Sequence, residues 1–493
     1  MSHNHSHISI DPITRLEGHG KIEIFLNAAG EVENAYLQVP ELRGFEKFSQ
    51  GREAIAMPEI TSRICGVCSP SHHLASVKAL DAAFSAPPTV PARKIRELMY
   101  NGYMIYDHIL HFFYLGGPDF VVGPKAEKGK RNILGVIEKV SPEFAKDVIR
   151  HRSYGQKIIE IISGKPISPV CGIPGGVNKK LKPEDVAEIK KMGESSIIFV
   201  QKTLDLFRDL VLANKDYLNL ILNPIYRLEC YDMSLVDENN RFKFYDGIIR
   251  VTAPDGKEAF KFPAADYLEY IAEKVVPWSY VKIPYLKKIG WKDAQAGADS
   301  GFYRVGPLAR LNVCDGMTTP LAQKEYEKYF STLGGKPVHN TLAYHWARLV
   351  ELLHAAEMVV RLADDPDVIS EEIRQPVGAA GEGVGVVEAA RGTLIHHYKL
   401  TPERLIEKAN MIVATTHNKM PICLSIRDAA KGLIKGGAPD EGTLNMIEMA
   451  FRAYDPCFAC ASHVIEGGVG FDIVIHDHRG DMIFQRSRDL TLL

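Results

Sequence analysis

Two short stretches decide how this chain is read. One is Arg63-Ile-Cys65-Gly-Val-Cys68, followed by Ser69-Pro70-Ser71-His72; the other is Asp455-Pro-Cys457-Phe-Ala-Cys460, followed by Ala-Ser-His463. Each pair sets two thiols about one turn apart, close enough to chelate a single centre. Four thiolates make a soft, negatively charged site that suits Zn, Fe–S, Ni or Cu(I) over hard cations. Zinc ribbons usually place their pairs about 15–20 residues apart, whereas these stand almost four hundred residues apart. A centre held by both pairs therefore staples the two ends of the chain through the whole fold. On spacing alone three readings stay open: a structural four-cysteine zinc site, a redox metal centre, and two independent CxxC redox motifs.

The rest of the composition narrows the setting. Of 493 residues, 46% are hydrophobic and 24% charged, so a sizeable core is expected. A formal net charge of −2 gives no electrostatic basis for binding nucleic acid or an anionic membrane. Eight cysteines in so long a chain do not read as a disulfide scaffold. Cys171, Cys230, Cys314 and Cys423 lack pair spacing and read as small buried hydrophobes. The polar start, MSHNHSHISIDP, has no apolar h-region, and apolar runs such as 105–115 are broken by Asp107, His108 and His111. The reading is a cytoplasmic chain without signal peptide or membrane span, with His3, His5 and His7 on a solvated terminus.

Alternation over 21–26 and 35–39 around Asn27-Ala-Ala-Gly-Glu predicts a β-hairpin. Helical periodicity predicts helices over 71–84 and 92–114, separated by Pro87, Pro88 and Pro91, and a long helix over 183–222. Runs at 242–245, 248–252 and 259–262 read as short strands, and periodicity returns at 345–362, 425–434 and 441–451. A last hairpin is expected from 471–476 and 482–485 around His478-Arg-Gly. The organisation expected is an N-terminal β region (8–57), a helical body (58–224), a β-containing insertion (225–305), a second helical stretch (306–463) and an extension (464–493).

Further segments carry a resemblance. Asp11-Pro-Ile-Thr-Arg-Leu-Glu17-Gly-His19 and Arg43-Gly-Phe-Glu46 precede the first pair. Tyr106-Asp107-His108-Ile-Leu-His111, Pro174-Gly-Gly-Val and Tyr303-Arg-Val-Gly-Pro-Leu-Ala-Arg-Leu-Asn312 follow it, as do Glu388-Ala-Ala-Arg391-Gly and Thr415-Thr-His-Asn418. From the first strand to His463 the chain resembles the large subunit of nickel–iron hydrogenases. The run from Tyr303 looks most like the cytoplasmic, multisubunit branch that uses soluble acceptors.

The resemblance implies an α+β fold, mainly helical around a long-helix bundle. It implies Cys65 and Cys457 as terminal nickel thiolates, and Cys68 and Cys460 as bridges to an iron that carries carbon monoxide and two cyanides. Such a centre requires maturation machinery, including nickel chaperones. Glu17 would be the proton relay, hydrogen-bonded to the thiol of Cys457; the reading without the family is a salt bridge with Arg15. Arg391 would hang over the open metal site, held by Asp107 and Asp455, and His72 would orient a bridging thiolate while His73 packs or faces solvent. Glu46 and His463 would bind a second metal, magnesium or iron. Two departures stand out: Ala390, where the family commonly has proline, and Ser168, where many relatives have histidine on the side facing the electron-transfer partner.

The implied activity is reversible heterolytic cleavage of dihydrogen. No other Fe–S motif is present, so electrons would leave through an Fe–S small subunit to flavin, ferredoxin-like or disulfide-reductase subunits. Residues 464–493 resemble a peptide that a maturation protease removes, which predicts a mature end at His463 and argues against a hydrogen sensor. If retained, the tail's hairpin would cap the site from outside. The competing class is a non-catalytic or four-cysteine zinc relative; quinone-pocket relatives of respiratory complexes resemble the family without the four cysteines.

Overall fold

The alternating residues at the N-terminus pair as their pattern predicts. Strands Lys21–Leu26 and Val32–Gln38 run antiparallel, and Asn27 Oδ1 closes the turn by accepting from the Ala29 and Glu31 amides at 3.0 Å. A third strand, His7–Ile10, adds to the outer edge of Lys21–Leu26. The computed structural model describes residues 7–276, 278–293, 295–435, 439–462, 471–476 and 482–488. Among them no helix is long and apolar enough to cross a membrane.

Four long helices form the body. Val90–Leu110 starts on Thr89, whose Oγ1 accepts from the Ala92 amide at 3.3 Å, a capping arrangement that satisfies an otherwise orphaned donor. It packs against Pro142–Ser163 and Tyr344–Ala363, and the last of these packs against Pro183–Phe207. Helix Ser69–Ala83 follows directly on Cys68. One continuous apolar core runs through these elements and contains all four paired cysteines. Cys171, Cys230, Cys314 and Cys423 are free thiols and buried. The fold is α+β, as the sequence implies.

Three local expectations need correction. The helix expected over 183–222 ends its regular part at Phe207, widens into a π-helical turn over Arg208–Leu212, and restarts as Lys215–Ile221. The break lies at Asn214, whose Oδ1 accepts from the Asp216 and Tyr217 amides at 3.0 and 3.4 Å; an N-cap side chain starts a new helix rather than continuing the old one. The run 242–245 is not a strand. Phe242 makes only an isolated bridge, to Val236; it and Phe244 are buried with both rings edge-on against His354, so their alternation serves packing more than pairing.

The stretch 306–463 is not helical throughout. Strands Glu382–Ala389, Gly392–Leu400 and Ile406–Ile412 form an antiparallel sheet within it. Its first strand lies directly against helix Ser69–Ala83: a Cβ at Gly385 would sit 2.2 Å from the Ala75 carbonyl oxygen and 2.3 Å from the Ala79 amide nitrogen. Alanines on the helix and glycines on the strand thus let two backbones touch, and a glycine-rich strand gives little alternation to read. Gly385→Ala is expected to force these elements apart and lower stability by about 1–3 kcal/mol or more. Chemical denaturation checks this, and an unchanged midpoint would show that the contact gives way easily.

Other strands are Tyr231–Val236, Ile248–Thr252 and Glu258–Phe262 with a short parallel edge Tyr303–Arg304, a separate pair, Ile271–Val276 with Ser279–Leu286, and a two-residue pair, Gly172–Ile173 with Gly176–Val177. At the C-terminal end Phe471–His476 and Met482–Arg488 pair antiparallel. His3, His5, His463 and the expected cleavage position lie outside the described residues, as does any capping of the site by the tail.

Candidate metal centre

Both cysteine pairs end on tight, well-anchored turns. In the first, the Val67 and Cys68 amides donate to Cys65 Sγ at 3.3 and 3.4 Å, and the Tyr106 hydroxyl on the Val90–Leu110 helix donates to the Val67 carbonyl. In the second, Asp455 adopts a left-handed backbone (φ 59°), a conformation Asp tolerates better than most residues. The chain then turns through Pro456, and the Cys457 amide donates to Thr415 Oγ1 at 2.9 Å. Arg43 joins the two loops, donating to the Ala459 carbonyl at 2.6 Å and to the Ile64 carbonyl.

These anchors bring four sulfurs to one place. The Sγ atoms of Cys65, Cys68, Cys457 and Cys460 all lie within 4.8 Å of one another and are buried. Cys68 and Cys460 stand 3.0 Å apart, Cys457 and Cys460 2.8 Å, and Cys457 and Cys65 3.4 Å. Hydrogen bonds from Cys457 and its neighbours hold the Cys65 thiol well below the ordinary thiol range, while burial drives Cys457 and Cys460 well above it. A soft dication supplies the charge that would let all four ionise, so the donor set fits a nickel-containing centre.

Glu17 approaches from the N-terminal region. Its backbone pairs with Cys457 as an isolated parallel bridge, and its Oε2 lies 2.9 Å from Cys457 Sγ and accepts from the Ala459 amide at 3.2 Å. Gly18 permits this approach: it holds φ +84°, and a Cβ there would meet the Ala459 nitrogen at 2.9 Å. Burial, then the charge of Cys65, raises the Glu17 carboxyl above its usual range. Arg15, its alternative partner, turns away to Asp119 (2.5 Å) and Asn445 (2.9 Å).

Arg391 is buried, with Nη1 3.1 Å from Asp107 Oδ2 and Nη2 3.1 Å from Asp455 Oδ1. Burial opposes its charge, but Asp107, Asp455 and the sulfurs of Cys457 and Cys68 outweigh that and hold it firmly protonated. Burial also pushes the Asp455 carboxyl up. Arg391 Nε, Asp107 Oδ1 and Asp455 Oδ2 find no hydrogen-bond partner among the described residues. Buried polar atoms are rarely left so, and a polar ligand or water belongs there. His72 places Nε2 3.4 Å from Cys460 Sγ. Its neighbour His73 is buried between the Pro58 carbonyl and the Gly172 amide, so it packs.

A profile described as nickel-dependent hydrogenase matches residues 43–147 and 147–463. The chain belongs to this family. A HoxL-like profile matches residues 7–42. As a nickel–iron hydrogenase, the chain is 45% identical over 478 residues to an F420-non-reducing hydrogenase iron-sulfur subunit from Archaeoglobus profundus, covering 97% of this chain and 98% of that one. It is 37% identical over 496 residues to the NAD-reducing hydrogenase HoxS subunit beta of Cupriavidus necator, covering 97% and 99%. Among solved structures, an NAD+-reducing [NiFe]-hydrogenase in the H2-reduced state superposes with a TM-score of 0.87 at 38% identity, over 93% of this chain and 99% of that one. The first two relatives are named as subunits of larger enzymes.

The candidate centre thus brings together Cys65, Cys68, Cys457, Cys460, Glu17, Arg391, Asp107, Asp455 and His72. Glu46 stands elsewhere: it is buried, its Oε1 accepts from the Met411 amide at 2.7 Å, and its Oε2 lies 4.0 Å from Lys282 Nζ. Ser168 is partly exposed, in a left-handed conformation, with its amide donating to Ser69 Oγ at 3.0 Å. Ala390 uses a group proline lacks, donating its amide to the Tyr103 hydroxyl at 3.2 Å. Sequence reasoning missed Arg43, Tyr106 and Tyr103. The first two sat in quoted segments, but nothing in spacing says that a side chain will clamp a backbone.

Proposed function

We propose that this subunit catalyses the reversible heterolytic cleavage of dihydrogen, with Cys65 and Cys457 as terminal nickel ligands and Cys68 and Cys460 shared with iron. The observation that carries the reading is the meeting of four buried sulfurs with a carboxyl 2.9 Å from one of them. When bound, the nickel–iron pair, with carbon monoxide and cyanide on iron, supplies a Lewis acid toward dihydrogen and a store for its electrons. The protein's own part is to receive the proton. Cys457 Sγ holds it first, and Glu17 Oε2 takes it across the 2.9 Å hydrogen bond; a carboxyl raised by burial suits a group that must both accept and release. Arg391, fixed by Asp107 and Asp455, presents a planar charge that polarises a ligand without exchanging its own proton. His72 hydrogen-bonds Cys460 and tempers its donation.

Electrons leave through an Fe–S small subunit, since the sequence carries no second cluster motif, and pass through further electron-transfer subunits to a soluble acceptor in the cytoplasm. The relatives are named both NAD-reducing and F420-non-reducing, so those other subunits choose the acceptor. Glu46 with His463 binds magnesium or iron; in support, the Glu46 carboxylate is buried and already oriented. Maturation ends with cleavage after His463, where the family match also ends.

The test is nickel and iron content per chain in protein purified from its native host, with an infrared spectrum over the carbonyl and cyanide stretching region. One nickel per chain with diatomic bands is expected. Zinc without such bands would favour the structural-metal alternative and overturn the reading.

A further inference from the structure

Arg391 stands in a turn that does not hold its own shape. Ala389 pairs with Gly392 across strands Glu382–Ala389 and Gly392–Leu400, so Ala390 and Arg391 form a two-residue hairpin loop. Such loops ordinarily take a left-handed backbone at the first or at both turn residues, yet neither Ala390 nor Arg391 has a positive φ. Groups from outside the hairpin grip the loop instead.

One helix face supplies most of that grip. Tyr100, Tyr103 and Asp107 follow one another in Val90–Leu110 at three- and four-residue spacing, which stacks them along one side, and all three are fully buried. The Tyr100 hydroxyl donates to the Glu388 carbonyl at 2.9 Å, the Ala390 amide donates to the Tyr103 hydroxyl at 3.2 Å, and Arg391 Nη1 donates to Asp107 Oδ2 at 3.1 Å. From helix Pro307–Val313, Arg310 adds bonds to the Ala389 and Ala390 carbonyls at 2.7 and 3.0 Å. The stem and the head of Arg391 are thus both referred to one rigid helix, at points one turn apart.

We infer that Tyr103 is a positioning residue for Arg391. By accepting the Ala390 amide it fixes where the arginine leaves the turn, while Asp107 fixes where the guanidinium ends. The inference rests on the reading that Arg391 polarises a ligand at the centre, and it carries control of that group to a side chain that does not touch it. The pairing also has a specific incompatibility. A proline at 390 would lose the amide hydrogen and set a ring carbon about 1.5 Å from the nitrogen in its place, pressed against a hydroxyl only 3.2 Å from that nitrogen. Ala389 is already in a strand, the conformation that proline imposes on its predecessor. Tyr103→Phe and Ala390→Pro should therefore each do harm alone and relieve each other when combined.

The experiment compares purified holoenzymes carrying Tyr103→Phe, Ala390→Pro and both, by activity per nickel and by infrared spectra of the carbonyl and cyanide bands. Tyr103→Phe is expected to lose activity per nickel by about 10-fold, short of the ~10²-fold that a full 1 Å misplacement costs, and to displace at least one band as the charge of Arg391 moves. Ala390→Pro should also lose activity, and the double variant should be several-fold more active per nickel than Ala390→Pro alone, with bands nearer the wild type. The control, Tyr326→Phe, removes another buried phenol, one bonded to the Cys314 carbonyl, and should leave the bands in place. Unmoved bands in Tyr103→Phe at full nickel loading would overturn the proposal, as would a double variant no better than Ala390→Pro. Should Tyr103→Phe fail to load nickel, hydrogen exchange of the full-length metal-free chain decides. Peptides covering 389–392 must then exchange several-fold faster than in metal-free wild type, and equal exchange overturns the idea. A different failure is Arg391→Lys with full activity per nickel: the reading of Arg391 itself then falls, and this inference with it.

Discussion

Glu17→Gln is expected to lower hydrogen oxidation and solvent isotope exchange together by about 10²–10⁴-fold, the usual range for losing a positioned acid–base group, with nickel content unchanged. The substitution keeps the side chain's shape. An amide oxygen still accepts from the Ala459 amide, which donates to Glu17 Oε2 at 3.2 Å, and the backbone bridge to Cys457 does not involve the side chain. What disappears is the only carboxyl hydrogen-bonded to Cys457 Sγ among the described residues. The surroundings suit the native group to transfer: burial and the Cys65 charge raise its carboxyl, and the hydrogen bond to Cys457 pulls the other way. Exchange within a few-fold of wild type would assign proton transfer to another group and reduce Glu17 to a fixture of the Cys457 turn.

The parts of this site that spacing could reveal are those set by local chain geometry. Two CxxC pairs announce two chelating turns, and RxEGH places a glycine where the chain must pass within van der Waals contact of Ala459. Which pairs converge is not local information, and it took the whole pattern from Glu17 to Asn418 to choose nickel–iron over zinc. Helices with clear periodicity came out close to their true limits, as with Tyr344–Ala363 against an expected 345–362. The losses have physical causes. Asn214 ends one helix by capping another, an event worth one or two hydrogen bonds that periodicity ignores. The 382–412 sheet hid because Gly383 and Gly385 sit where helix backbone takes the place of side chains.

Arg391→Lys separates a charge from the shape that carries it. The guanidinium spans two carboxylates, Asp107 and Asp455, at 3.1 Å each from different nitrogens. An ammonium is a single point on a flexible stem and cannot hold both in that geometry. Asp455, already pushed up by burial, is the carboxyl expected to take a proton when its partner leaves. That response limits the stability loss to about 1–3 kcal/mol, the cost of one buried group losing its hydrogen bond. Removing the charge altogether, as in Arg391→Leu, leaves Asp107 buried with no cation beside it even when Asp455 takes up a proton, and should cost nearer to about 3–5 kcal/mol. Activity is expected to fall further than stability: the loss of a preorganised donor at a reacting centre is typically about 10²–10³-fold, and Arg391→Lys should show it with nickel and the diatomic bands retained. The decisive comparison is activity per nickel. If Arg391→Lys loses activity only in proportion to lost metal, the pairings with Asp107 and Asp455 are scaffolding for the Cys457 turn. If activity per nickel falls while the protein stays loaded and folded, the guanidinium's two-point geometry is part of the reaction.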